Sequence, residues 1–190
     1  MKHPQSISDI AKLIEADAWR MQVLRGVDSL NLPDYAIGAG FVRAAVWDIL
    51  TDRPKPTPLS DIDVLYFDPE NCQECDEKQI EAQLKAQQPE LPWSVKNQAR
   101  MHLRNGDAPY RDTNEAIAHW LETPTCIAAR LGPSGHVELL APYGIDDLLT
   151  LRIRPTNSGR QKLDQYKERV TTKNWPTLWP GVVVEGLEVP

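Results

Sequence analysis

The chain predicts an α+β fold, a small mixed sheet flanked by helices, with further helices at both ends. Three observations predict it. Apolar runs of strand length alternate with stripes at helical spacing. The first such unit reads strand–helix–strand around Gly38, and Gly132-Pro133-Ser134-Gly135 stands between two apolar runs as a hairpin turn.

In chain order, Ser6 to about Asp28 reads as one helix, capped by Ser6 or Ser8, with an imperfect stripe of Ile7, Ile10, Ile14, Trp19 and Val23 joined by Leu13 and Leu24. Tyr35-Ala36-Ile37 is a short buried strand ending at Gly38. From Gly40, Phe41, Val42, Ala45, Val46, Ile49 and Leu50 recur at helical spacing until Thr51-Asp52-Arg53-Pro54 stops them. The three prolines between Pro54 and Leu59 require an extended loop. Ile62 to Phe67 is the second strand. Asp76 to Gln88 is an exposed helix and Trp93 to Gln98 a third strand. Thr113 to Trp120 is helical, and Cys126–Leu131 and His136–Leu140 form the hairpin. Ile145–Leu151 and Arg160–Val170 read as helices, with Asp146 and Asp147 suited to a helix N-terminus. The tail from Thr171, rich in Trp and Pro, is expected to pack without regular structure. Residues 1–190 thus read as one domain, with a core at about 35–145 and a C-terminal helical extension and tail at 146–190.

Composition narrows the function classes. The 190 residues are 41% hydrophobic with six Trp, enough for a substantial core. No apolar run reaches membrane-spanning length and the N-terminus lacks a secretory h-region, so a soluble, cytoplasmic protein is expected. A net charge of −6 argues against a dedicated nucleic-acid binder. Two basic clusters stand out against it, Lys96/Arg100/His102/Arg104 and Arg152/Arg154/Arg160/Lys162; both also suit plain surface solvation. Cys72 and Cys75 have the spacing of half a zinc site, but no second pair matches it, and a polar loop carrying two thiols is the better reading.

The chemistry concentrates at Gly38-Ala39-Gly40-Phe41-Val42-Arg43 and Ser60-Asp61-Ile62-Asp63. Strand side chains alternate, so Asp61 and Asp63 share one face while Ile62 and Val64 enter the core. Two adjacent carboxylates repel unless a cation lies between them. A glycine-led helix start offers free backbone N–H groups to phosphate, and a Cβ at Gly40 would intrude on it. Arg43, one turn in, can reach a phosphate or hold Asp61. The set describes a site for a metal-bound polyphosphate.

These motifs resemble the head domain of the DNA polymerase beta-like nucleotidyltransferases, especially CCA-adding enzymes and poly(A) polymerases. Their Gly-Gly-x-Val-Arg-Asp helix start is matched by Ala39-Gly40-Phe41-Val42-Arg43-Ala44, and their Asp-Ile-Asp strand by Asp61-Ile62-Asp63. Between about Ala36 and Trp179 the chain also looks like a bacterial family of nucleotidyltransferase-like proteins without an assigned substrate. That likeness rests on Val42-Arg43…Val46-Trp47-Asp48, on Val95-Lys96-Asn97-Gln98-Ala99-Arg100-Met101-His102, and on Ala141-Pro142-Tyr143-Gly144-Ile145-Asp146-Asp147-Leu148.

The resemblance implies the nucleotidyltransferase fold and Mg²⁺-dependent transfer of a nucleoside monophosphate from an NTP to a hydroxyl acceptor. Asp61 and Asp63 would be the catalytic, metal-binding carboxylates. Gly38, Ala39, Gly40 and Arg43 would hold phosphate, with Asn97 and Arg100 lining the nucleotide pocket. His102 reads more readily as a surface residue. Active relatives carry a third carboxylate on the next antiparallel strand, here expected to be Trp93–Gln98. No Asp or Glu lies between Leu91 and Gly106, so Asp68 and Glu138 become the candidate substitutes. Without the large helical extensions that hold tRNA, a small-molecule or protein acceptor is expected before tRNA. The alternative function is a catalytically degenerate nucleotide-binding or interaction module of the same fold.

Overall fold

A computed structural model describes residues 3–187. The N-terminal helix expected from Ser6 to Asp28 is two helices, α1 (Ile7–Glu15) and α2 (Ala18–Asp28). Asp17 causes the break: extended in backbone, it accepts the Arg20 N–H at 3.1 Å and so caps a fresh start. Their inward faces, Ile10 and Ile14, then Val23, Leu24 and Val27, are fully buried.

Strand β1 (Ala36–Gly38) runs into α3 (Gly40–Leu50) and, after the proline loop, into β2 (Ile62–Tyr66). Next come α4 (Glu74–Gln87), β3 (Trp93–Asn97), α5 (Gln98–Asn105) and α6 (Thr113–Ala118). A 3-10 turn at Thr123–Thr125 leads into β4 (Ala128–Leu131) and β5 (Val137–Leu140). The hairpin turn falls where its Gly-Pro-Ser-Gly motif places it.

The sheet order is β3-β2-β1-β4-β5. β1 is antiparallel to both β2 and β4, and β4 to β5, but β2 and β3 run parallel. This corrects the expectation that Trp93–Gln98 is an antiparallel neighbour of the Asp-x-Asp strand. The cause is α4: a helical crossover returns the chain to the start of the sheet, so β3 lies alongside β2 in the same direction. The last residue of that expected strand, Gln98, instead opens α5, where Asn97 is the cap.

The sheet's two faces do different work. Ile37, Ile62, Val64 and Val95 point into the main core, shared with α1–α3. Ala36, Leu65 and Ala128 point to the other face, where they meet Ile117 of α6 and Trp120. Asp63, two residues before Leu65, opens onto this second face.

The tail is more regular than its composition suggests. Beyond α7 (Asp146–Leu149) lie β6 (Arg152–Ile153), α8 (Asn157–Gln161), α9 (Leu163–Lys173), α10 (Trp175–Leu178) and β7 (Val183–Val184), which pairs with β6. Trp179 explains the docking: its indole N–H donates to Asp48 Oδ1 at 2.7 Å and its ring meets Trp47 edge-on. Composition could not reveal these partners, because Asp48 lies 131 residues upstream and Trp47 stands next to it.

Candidate active site

A cleft of about 750 Å³ opens on the second sheet face, lined by Ala39, Gly40, Arg43, Asp61, Asp63 and residues from α5, α9 and the 119–122 segment. Local sequence builds its centre. β1 ends at Gly38, and Ala39 turns the chain with φ 50° and ψ −113° into α3. No side chain caps that helix start. Ala39 and Gly40 line the cleft, so the uncapped helix start, with the positive end of the helix dipole, lies at the cleft wall. A Cβ on Gly40 would meet only Leu59 at 3.5 Å and Arg43 at 4.0 Å, so the space it would fill is the cleft itself.

The register of β1 on β2 (Ala36↔Leu65, Ile37↔Val64) sets the Asp-x-Asp strand directly beside this turn. Asp61 is exposed and accepts from the Ser60 hydroxyl at 3.1 Å. Asp63 is half-buried, and its pKa is pushed up to about 6, first by burial and then by the Asp61 charge; Arg169, Ser94 and Lys173 oppose the rise. This is the behaviour of a carboxylate pair that a cation would relieve.

Arg43 completes the centre. It is 8% exposed, its guanidinium lies 4.7 Å from the Trp175 ring and 5.5 Å from Trp47, and its Nε and Nη1 are buried without a hydrogen-bond partner. Burial draws its pKa down to about 10, against the pull of Glu122, Asp61 and Asp63, so it is charged at neutral pH. A buried cation with unspent donors, set against a helix start, suits a phosphate oxygen.

Two structural groups in the cleft went unread in the sequence. Glu122 is fully buried, accepts from the Thr125 hydroxyl at 3.0 Å and pairs with Arg169 at 2.9 Å; burial raises its pKa. A lone Glu in a Thr/Pro segment gives no sequence signal. Gln165, Arg169 and Lys173 also line the cleft, and these do carry one, a 4–4 spacing that puts them on one face of α9, with Lys162 at its cap.

Several expected residues lie elsewhere. Gly38 faces Trp120: a Cβ there would stand 2.7 Å from the indole, so its role is packing. Asn97 is fully buried outside the cleft, where it caps α5 through the Ala99 N–H at 3.1 Å and bridges the Asp68 and Asn71 carbonyls at 2.7 and 2.9 Å. Arg100 turns its fork away, onto buried Glu77 at 2.6 and 2.8 Å. Neither lines the cleft, which corrects the expected place of both. The parallel direction of β3 is the reason, since Asn97 pairs with Tyr66 at the end of β2 remote from Asp61.

Of the substitute acids, Asp68 ties up the 68–71 turn through the Glu70 and Asn71 N–H groups, and Glu138 pairs with Arg130. Among the described residues no third His, Cys, Asp or Glu joins Asp61 and Asp63 in a metal-binding group. Cys72 and Cys75 are free thiols, and no metal-binding group forms there either among those residues. His102 lies outside the cleft lining, edge-on to Tyr110.

The chain belongs to a family of nucleotidyltransferases, whose profile matches residues 25–184. No curated protein matches it. Among solved structures it is similar, at 27% identity and a TM-score of 0.86 over 98% of both chains, to a protein whose NMR structure reveals a CCA-adding enzyme head domain. It shares its fold with the Thermotoga maritima CCA-adding enzyme complexed with tRNA, at 15% identity and a TM-score of 0.60. A CCA-adding enzyme complexed with CTP matches at the same identity and TM-score. The chain spans 44% of the length of each of these two enzymes. No helix among the described residues is long and apolar enough to cross a membrane.

Proposed function

We propose that the cleft transfers a nucleoside monophosphate from an NTP to a hydroxyl acceptor, in a Mg²⁺-dependent reaction. Arg43 carries the reading: a buried guanidinium with two unpartnered N–H groups, placed between an uncapped helix start and a carboxylate pair. The NTP phosphates rest on the first N–H groups of α3 and on Arg43. Asp61 and Asp63 would hold Mg²⁺; burial and then the Asp61 charge raise Asp63, and a cation would offset both. When bound, the ion supplies charge neutralisation on the phosphates and lowers the pKa of the attacking hydroxyl. Arg169 and Lys173 face the same cleft and offset the charge of the departing pyrophosphate. A small molecule or a protein is the acceptor we favour over tRNA, since a net charge of −6 opposes a large polyanion.

Calorimetry with each NTP, with and without Mg²⁺, tests the site. Binding is expected to require Mg²⁺, and to be lost in Asp63→Ala and in Arg43→Ala. Binding that ignores both substitutions would sink the proposal.

A second reading, a nucleotide-binding module without turnover, is favoured by one observation: the carboxylate pair has no third partner among the described residues. Release of pyrophosphate with a cell-extract acceptor pool, abolished in Asp61→Ala, decides for the enzyme. Tight binding with no release decides for the module.

A further inference from the structure

Beyond Asp63 the lining of the cleft continues along the sheet to Leu65, and this end of the cleft forms a lobe away from Gly40 and Arg43. Its floor is Leu65 and the half-buried Trp120; Gln98 and Asn105 stand at its edge with their side-chain amides. We infer that this lobe is the nucleobase subsite, and that the base of the NTP stacks on Trp120. The inference rests on the phosphate reading above.

Direction comes first. Gly40 and Arg43 lie at one end of the line, Asp61 and Asp63 follow, and Leu65 comes next on the same face. Strand geometry puts Leu65 about 7 Å beyond Asp63. A triphosphate anchored at α3 with its α-phosphate at the carboxylates must send its ribose and base outward from Asp63. A span of about 7 Å, two strand residues, is what a ribose covers, which brings the base over Leu65 and Trp120.

The aromatic wall is built, not incidental. Continuing the β1–β2 register places Gly38 opposite Asp63. The tip of the Trp120 ring lies where a Gly38 side chain would stand, with only 2.7 Å between Trp120 Cη2 and the point that a Cβ on Gly38 would occupy. That glycine therefore brings the indole up beside the carboxylates. Leu65 and Ala128 pack around it, and the Trp120 carbonyl accepts from Cys126 and from the buried Thr156 hydroxyl, which fixes the backbone. A rigid indole beside a phosphate site offers the sequence-tolerant stacking that bases find on aromatic side chains. Gln98, 3% exposed, donates its amide N–H to the Lys96 carbonyl at 3.1 Å, which leaves its oxygen oriented by a fixed partner. Amides of this kind pair with base edges.

Inorganic tripolyphosphate and the four ribonucleoside triphosphates, each with Mg²⁺, separate the two readings by calorimetry. The wild-type protein is expected to bind at least one NTP roughly tenfold tighter than tripolyphosphate, the scale of one stacked base. Trp120→Leu keeps an apolar side chain against Gly38 and removes the aromatic face. It is expected to erase that preference and leave tripolyphosphate affinity unchanged. Equal wild-type affinity for tripolyphosphate and every NTP overturns the base subsite while sparing the phosphate site. Failure of tripolyphosphate and NTP alike overturns both. A preference that survives in folded Trp120→Leu also overturns it. Should that variant not fold, proton NOEs between the base and the Trp120 indole in the wild-type complex serve instead, and their absence has the same force.

Discussion

Ala39 and Gly40 divide one task that two glycines could share. Ala39 holds φ 50° and ψ −113°, a region that essentially only glycine occupies without strain. Ala39→Gly relieves that strain and loses part of it to backbone entropy, so a net stabilisation of about 1 kcal/mol is expected in urea titrations. Gly40→Ala should behave differently. Its Cβ clashes with no protein atom, and helix propensity favours it by about 0.5 kcal/mol, so the fold tolerates the change. The methyl group fills phosphate space, and Mg²⁺–NTP affinity is expected to fall roughly tenfold, about 1.4 kcal/mol.

Asp63 adds a pH signature at the same scale. Its carboxyl ionises near 3.8 when unfolded and near 6 when folded. Below both values it is protonated in both states and costs nothing. Between them the unfolded chain has released a proton that the folded chain keeps, so stability falls as pH rises; above about 6 the whole penalty persists. Asp63→Asn removes it. The variant should match the wild type at about pH 3.5 and exceed it at about pH 7, as read from unfolding midpoints. A gap that grows toward low pH would contradict the assignment.

At the scale of elements, β3 and α5 show where sequence and structure part. The stretch Val95-Lys96-Asn97-Gln98-Ala99-Arg100 reads as a strand feeding a pocket, and its cations invite phosphate. The structure turns Arg100 to a local purpose instead, while Lys96 serves that purpose and also lines the cleft. Glu77 of α4, 1% exposed, accepts from the Asn97 N–H at 2.9 Å, from Arg100 at 2.6 and 2.8 Å, and from Lys96 at 3.2 Å. These bonds lock the crossover helix to β3. Arg100→Ala leaves a buried carboxylate with Lys96 alone as its cationic partner, and a loss of about 2 kcal/mol is expected. NTP affinity should hold within about twofold, because Arg100 lies outside the cleft lining. A large loss of affinity with unchanged stability would restore Arg100 to the site.

The contrast explains what was legible. That Gly40, Arg43, Asp61 and Asp63 share one cleft was legible because local patterns place them, a helix start and a period of two. The strands, the hairpin and α3 followed from apolar spacing for the same reason. Strand direction did not, since the apolar run of β3 is identical read either way and only the α4 crossover settles it. The helical tail was hidden likewise. Trp179 looks like a loop residue until Asp48 is brought under its indole. Glu122 was invisible because its neighbours, Arg43 and Arg169, are supplied by helices far away along the chain.

For the molecule as a whole, the cleft is the place where a chain of net charge −6 gathers its positive charge. Lys96, Arg104, Lys162, Arg169, Lys173 and Arg43 line it, against Asp61, Asp63 and Glu122. Such a field draws an anionic substrate to a surface that otherwise repels it, and association should slow as ionic strength rises.

The walls of that cleft come from residues 39–44, 57–65, 96–105, 119–122 and 162–179. No continuous fragment holds more than a part of it. An NTP bound as proposed, across α3, β2 and α9, would need these separate segments held together, and openings that part any wall would release it. Hydrogen exchange would register this as a collective effect. With Mg²⁺–ATP present, the slowest amides of β1, β2 and α3 are expected to gain protection together with those of α9, by the same free energy that binding contributes. Protection confined to the amides touching the nucleotide would mean that the walls open independently. The scattered origin of the cleft thus makes its ligand a reporter on the cooperativity of the fold.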